Sequence, residues 1–108
     1  MEITQSPEGT TLKLYLKGRL GTNTTSELEG IINNKLEDIK ELFLDLKELE
    51  YVSSAGLRVL LIAQKKMEKQ GHMVITNAND SVMEIFRITG FIDILDIRWG
   101  KAKRSFAN

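Results

Sequence analysis

Residues 10–18 read Thr-Thr-Leu-Lys-Leu-Tyr-Leu-Lys-Gly, with Leu12, Leu14 and Leu16 alternating against Lys13, Tyr15 and Lys17. An apolar side chain at every second position predicts a strand with one buried face. Glu2–Gln5 is expected to be a short partner strand, joined through the turn residues Ser6-Pro7-Glu8-Gly9. The period then changes. Leu28, Ile31, Ile32 and Leu36 recur at helical spacing, which predicts an amphipathic helix over 24–37. Thr24 and Glu27 fit a capping box at its start. Leu42–Leu46 suits a buried central strand, and 54–69 reads as a second helix carrying Leu57, Leu60, Leu61 and Ile62 and closed by Gly71. His72–Thr76 is strand-like. Residues 79–89 place Val82, Ile85, Phe86 and Thr89 on one helical face, with Asn79 as N-cap and Gly90 as stop. Phe91–Leu95 is expected to supply a last short strand.

The order ββαβαβα, followed by a weak strand, predicts an α/β fold. Strands alternating with helices pair in parallel through right-handed crossovers, so the sheet is mixed, with about four to five strands and an N-terminal hairpin at one edge. At 108 residues and 12.2 kDa the chain suits one domain spanning 1–108. It contains one proline and shows no linker, low-complexity run or internal repeat. Residues 98–108, Arg98-Trp99-Gly100-Lys101-Ala102-Lys103-Arg104-Ser105-Phe106 and the last two, form a locally basic, loosely packed tail, with Trp99 expected to pack rather than to stack on a base.

Composition narrows the function by exclusion. Fifteen Lys and Arg balance fifteen Asp and Glu, so there is no cationic surplus for nucleic acid or for an anionic membrane. Without cysteine, disulfide scaffolds, thiolate zinc sites and thiol catalysis are out. The single His72 argues against a histidine-built metal site or triad and reads as a surface residue; Met67, Met73 and Met83 read as core fillers. The densest apolar runs, Leu12–Leu16 and Val59–Ala63, fall far short of the roughly 20 residues of a membrane helix. Met1-Glu2-Ile3-Thr4-Gln5 lacks signal-peptide character, so the expected location is the cytoplasm. No nucleophile–base pair, glycine-rich phosphate loop or metal cluster supports an enzyme, and no cofactor is expected.

Chemistry is concentrated between Asp45 and Leu61, where a buried strand runs into a loop and two serines, Ser53 and Ser54, stand at a helix start. A hydroxyl there caps the helix by accepting from the backbone N–H of Gly56 or Leu57. Ala55 and Gly56 carry almost no side chain, so the first turn can lie close to another surface. Ser54 thus reads either as a plain cap or as a site of modification. Gly21-Thr22-Asn23-Thr24 reads as a turn with N-cap chemistry.

The run Val52-Ser53-Ser54-Ala55-Gly56-Leu57-Arg58 after Asp45-Leu46 resembles the anti-sigma factor antagonist family, the bacterial branch of STAS domains. Gly18-Arg19-Leu20-Gly21-Thr22 before the first helix and Ile88-Thr89-Gly90-Phe91 after the last share that resemblance, which covers essentially the whole chain. It implies a non-enzymatic protein, monomeric when free. Its unphosphorylated form binds a serine kinase of the ATPase-fold type that is also an anti-sigma factor, and this releases the sigma factor. Phosphorylation of a serine at the start of the second helix ends the complex, and a metal-dependent phosphatase restores it. Family members commonly carry Asp-Ser-Ser-Gly or Asp-Ser-Thr-Gly here. Aligned on Gly56, the aspartate falls on Ser53 and the two hydroxyl positions on Ser54 and Ala55. The resemblance therefore implies Ser54 as phosphoacceptor, with Ser53 the alternative. It implies partner contacts at Thr22, Asn23, Ser53, Ser54, Ala55, Gly56, Leu57 and Arg58. Asp45 is expected to orient the serine loop by hydrogen bonds, or to help position a kinase's metal. Arg58, four residues after Ser54 on about the same helix face, is expected to meet a partner carboxylate or solvent. The other reading of the same pattern is a STAS scaffold or ligand-sensing module in which Ser54 is a cap and is never phosphorylated.

Overall fold

The computed structural model describes residues 1–98. Its strands are β1 (Glu2–Glu8), β2 (Thr11–Leu20), β3 (Glu41–Val52), β4 (His72–Thr76) and β5 (Ile97–Arg98), and its helices are α1 (Thr25–Asn34), α2 (Ser54–Glu68) and α3 (Asp80–Thr89). The sheet order is β1-β2-β3-β4-β5. β1 is antiparallel to β2, and every later pair is parallel. Because the parallel strands follow in sequence order and their crossovers have one hand, α1, α2 and α3 lie on one face of the sheet. Leu12, Leu14 and Leu16 of β2, Leu42, Leu44 and Leu46 of β3, and Met73 and Ile75 of β4 meet Leu28, Ile32, Leu60, Ala63, Met67, Val82, Met83 and Phe86 there. Lys13, Tyr15 and Lys17 point to the uncovered face and are exposed, as the alternation predicts.

Four elements differ from the sequence pattern. The first hairpin is longer than expected: β1 runs through Ser6 and Pro7 to Glu8, and the turn narrows to Gly9 and Thr10, with Gly9 at φ +61°. Pro7 is tolerated because β1 is an edge strand, where its missing N–H leaves no ladder bond unmade. Helix α1 stops at Asn34, short of residue 37, yet Leu36 and Ile39 remain buried in the turn that follows, where Asp38 takes φ +69°. β3 is far longer than Leu42–Leu46. Against β2 it carries extra residues between Asp45 and Glu48 and between Leu49 and Tyr51, so Leu46, Leu49 and Val52 are buried at intervals of three. Bulges of this kind break period-two patterning without ending the strand. Finally, Phe91–Leu95 is no strand. Gly90, at φ +83°, leads into a 3-10 turn over Phe91–Asp93, and the N–H groups of Ile94 and Leu95 both donate to the Phe91 carbonyl. The last strand follows instead at Ile97–Arg98, so Arg98 belongs to the sheet, paired in register with Thr76, and not to a loose tail. The expectations for 99–108, including Trp99, lie outside the described residues.

Asn79 caps α3 as expected, its Oδ1 accepting from Val82 N at 2.9 Å. Its Nδ2 donates to the Leu49 carbonyl at 2.7 Å, which anchors the start of α3 to β3. Met67, Met73 and Met83 are core residues, and His72 is exposed.

Candidate functional site

The parallel strands deliver three loops to one end of the sheet, those following β2, β3 and β4. Two of them carry the family-like motifs. Leu20 and Val52 are register partners, and directly beyond them Ser53 N donates to the Leu20 carbonyl at 2.9 Å. The ladder therefore continues one residue past the strands and clamps the serine loop to the end of β2.

The loop after β2 is braced from within. Thr24 Oγ1 accepts from Gly21 N at 2.8 Å and donates to the Arg19 carbonyl at 2.8 Å. The N–H groups of Thr24 and Thr25 both donate to the Gly21 carbonyl. The expected capping box is absent: Thr24 stands at the N-cap of α1 but its hydroxyl makes no cap bond to the helix. Gly21 has taken that hydroxyl, which folds the loop back on β2 and leaves Thr22 and Asn23 exposed at its tip.

At α2 the roles of the two serines separate. Ser53 is the N-cap, extended at φ −85° and ψ 175°, and its Oγ accepts from Gly56 N at 3.2 Å. Ser54, taken from sequence as the capping residue, is the first helical residue and is exposed. The cap position shifts by one because Ser53 already holds extended backbone through its bond to Leu20, the conformation an N-cap needs.

Gly56 and Leu57 do not form outer surface. Leu57 is a core residue, and Gly56 packs against β2, where a Cβ would lie 2.7 Å from the Leu20 carbonyl oxygen. The missing side chain at Gly56 thus accommodates the chain's own backbone. Ala55 is half-buried, and Arg58 is exposed with no hydrogen bond or ion pair among the described residues.

Asp45 is misplaced by the sequence reading. It lies inside β3 rather than at its end, and its carboxylate accepts from Lys47 N at 2.9 Å and from Asn77 Nδ2 at 3.0 Å. It therefore braces its own bulge and the loop after β4, where Asn77 adopts φ +60°, and neither of these bonds reaches the serine loop. It also lines a hollow of about 310 Å³ on the uncovered sheet face with Lys13, Tyr15, Phe43 and Thr76.

Thr22, Asn23, Thr24 and Ser53 come together around a cleft of about 420 Å³. Arg19, Gly21 and Tyr51 complete its lining. Arg19 and Tyr51 are register partners on β2 and β3, and the Arg19 guanidinium carbon stands 4.7 Å from the Tyr51 ring centroid. A stack of this kind contributes about 0.5–1 kcal/mol at an exposed site. Sequence spacing missed Tyr51 because it falls in the bulged stretch of β3, and it treated Arg19 only as part of a motif. Among the described residues no cluster of three or more His, Asp or Glu is placed to hold a metal ion, and no helix is long and apolar enough to cross a membrane.

Comparison with known proteins identifies the fold and the family. The family model described as "STAS domain" matches residues 2–105. The "Putative anti-sigma factor antagonist BtrV" of Bordetella bronchiseptica is 31% identical over 99 residues, covering 90% of this chain and 85% of its own. Among solved structures, an anti-sigma factor antagonist from Mycobacterium paratuberculosis superposes with a TM-score of 0.81 at 17% identity, covering 98% of this chain and 91% of its own. The phosphorylated form of SpoIIAA, a Bacillus cell fate determinant, superposes with a TM-score of 0.72 at 13% identity, covering 99% of this chain and all of its own. The two solved structures share the fold of this chain; with the family model and the relative in agreement, the chain belongs to the STAS domain family, in its anti-sigma factor antagonist branch.

Proposed function

We propose that this protein is the phosphorylatable component of a cytoplasmic partner-switching module. Its unphosphorylated form binds, as a monomer, an ATPase-fold serine kinase that doubles as an anti-sigma factor, and the sigma factor is released. The kinase phosphorylates Ser54, the complex separates, and a metal-dependent phosphatase reverses the mark. The observation that carries this reading is the division of labour between the serines: the Ser53 hydroxyl is committed to the helix cap, whereas Ser54 is exposed at the first position of α2.

The electrostatics favour a phosphate there. Phosphorylation adds about −1.5 to −2 charge and three acceptor oxygens. The unpaired N–H groups of a helix start and the positive end of its dipole stabilise that anion within the fold. At a packed protein interface the same group loses its water and meets the partner's surface, so binding is lost while folding survives. The relative's name and the phosphorylated structural neighbour support this direction.

Incubation with its switch kinase and ATP should add one phosphate, and peptide mapping by mass spectrometry should place it on Ser54. Phosphate on Ser53 would move the acceptor by one residue. A kinase that binds the protein yet transfers nothing to either serine would favour the second reading, a ligand-sensing STAS module. The hollow lined by Lys13, Tyr15, Phe43, Asp45 and Thr76 is the feature that supports that alternative.

A further inference from the structure

Arg19 and Tyr51 hold two large side chains at solvent beside the serine loop. Tyr51 keeps 40% of its surface exposed, although it sits in a strand between buried Leu49 and Val52. The remaining lining of the cleft, Gly21, Thr22, Asn23, Thr24 and Ser53, is uncharged, so among the described residues Arg19 alone gives its walls a charge. The ion pairs among the described residues are Arg87–Glu84 and Arg98–Asp96, and neither involves Arg19.

A guanidinium lying on an aromatic ring keeps its N–H edge free, and that edge matches a carboxylate through two parallel hydrogen bonds. Stacking also orders the side chain in advance, which reduces the entropy lost on binding. Arginine and tyrosine are among the residue types that most often dominate interface energetics. We infer that the Arg19–Tyr51 pair is the anchor that reads the kinase partner's charge, seating an Asp or Glu side chain of that partner in the cleft, with Thr22 and Asn23 as polar surroundings. The inference rests on the phosphoswitch reading and adds to it the chemistry of the partner's contact, which is acidic. Phosphate on Ser54 adds negative charge to the residue next to Ser53 of the cleft wall and opposes that carboxylate.

Titration calorimetry of the full chain with its nucleotide-bound kinase tests this, with circular dichroism as the check on folding. Arg19→Glu should weaken binding by more than about thirtyfold, since it sets like charges against each other. Arg19→Lys should weaken it by about five- to tenfold, because an ammonium keeps the charge but lacks the planar fork. Tyr51→Ala should weaken it by about fivefold or more, while Tyr51→Phe, which keeps the ring, stays within about twofold. Added salt should weaken the wild-type complex and affect the Arg19→Glu complex much less. Should Arg19→Glu fold poorly, Arg19→Gln supplies the neutral comparison, with an expected loss of about tenfold or more. Ser54→Asp serves as the control. Binding lost in Ser54→Asp but kept within about twofold in the Arg19 and Tyr51→Ala variants overturns the inference and leaves the phosphoswitch standing. A wild type that neither binds the kinase nor accepts phosphate overturns both.

Discussion

A Cβ at Gly56 would approach the Leu20 carbonyl oxygen to 2.7 Å, Leu20 Cγ to 2.9 Å and Val52 Cγ1 to 3.0 Å. The carbonyl cannot retreat freely, because it accepts the Ser53 N–H that holds the serine loop. Gly56→Ala should therefore destabilise the protein by about 1–3 kcal/mol, as overpacking does, against the gain of up to about 1 kcal/mol that alanine brings to an ordinary helix. Urea unfolding measures it directly: a midpoint equal to or above that of the wild type would mean that the loop yields without loss. At this scale the sequence was legible in type and opaque in direction. Small residues at 55 and 56 implied a close approach, but only the fold reveals that Gly56 meets the chain's own β2. The hydrogen-bond partner of Asp45 was opaque for a related reason. Its neighbour Asn77 lies 32 positions away, and no local spacing discloses that pairing.

At the scale of elements, α2 depends on a single capping hydroxyl. Ser53→Ala removes the acceptor for Gly56 N and should cost about 1 kcal/mol, whereas Ser54→Ala should change stability by less than about 0.5 kcal/mol. A larger loss in Ser54→Ala than in Ser53→Ala, measured by thermal or denaturant unfolding, would return the cap to Ser54. The regular elements were readable because their periods are uninterrupted: three alternating leucines in β2, and the apolar stripes and terminal glycines of α2 and α3. β3 was read at less than half its length. Its charged run Lys47-Glu48 and the doubled residues opposite β2 replace period two with intervals of three, and neither helix nor strand templates match that. The segment after Gly90 misled in the opposite sense. Phe91, Ile92, Ile94 and Leu95 form an apolar run of strand length, yet the left-handed Gly90 turns the chain into a 3-10 turn that directs Leu95 into the core.

For the whole molecule, the arrangement separates the core from the proposed recognition site. The hydrophobic core lies between one sheet face and three helices, while the cleft, Ser54 and the tip of the β2–α1 loop gather around the ends of β2 and β3. With a formal net charge of zero, the chain exerts no strong overall field against which one added phosphate would be lost. The electrostatic consequence of the proposed modification would therefore be local, with two effects of opposite sign. On the proposed phosphoswitch the anion would meet helix N–H groups and be stabilised within the fold, and at the interface it would meet a partner arranged for a neutral hydroxyl. Ser54→Asp and the phosphorylated protein should accordingly melt within about 5 °C of the wild type, because a helix-terminus charge is worth at most about 1 kcal/mol at an exposed site. Their affinity for the kinase should fall by more than about tenfold, corresponding to about 1.4 kcal/mol or more. Calorimetric melting and binding titration on the same preparations separate the two quantities. A large fall in melting temperature accompanying the loss of affinity would make phosphorylation an unfolding signal, and full affinity in the phosphorylated protein would remove charge from the switch altogether.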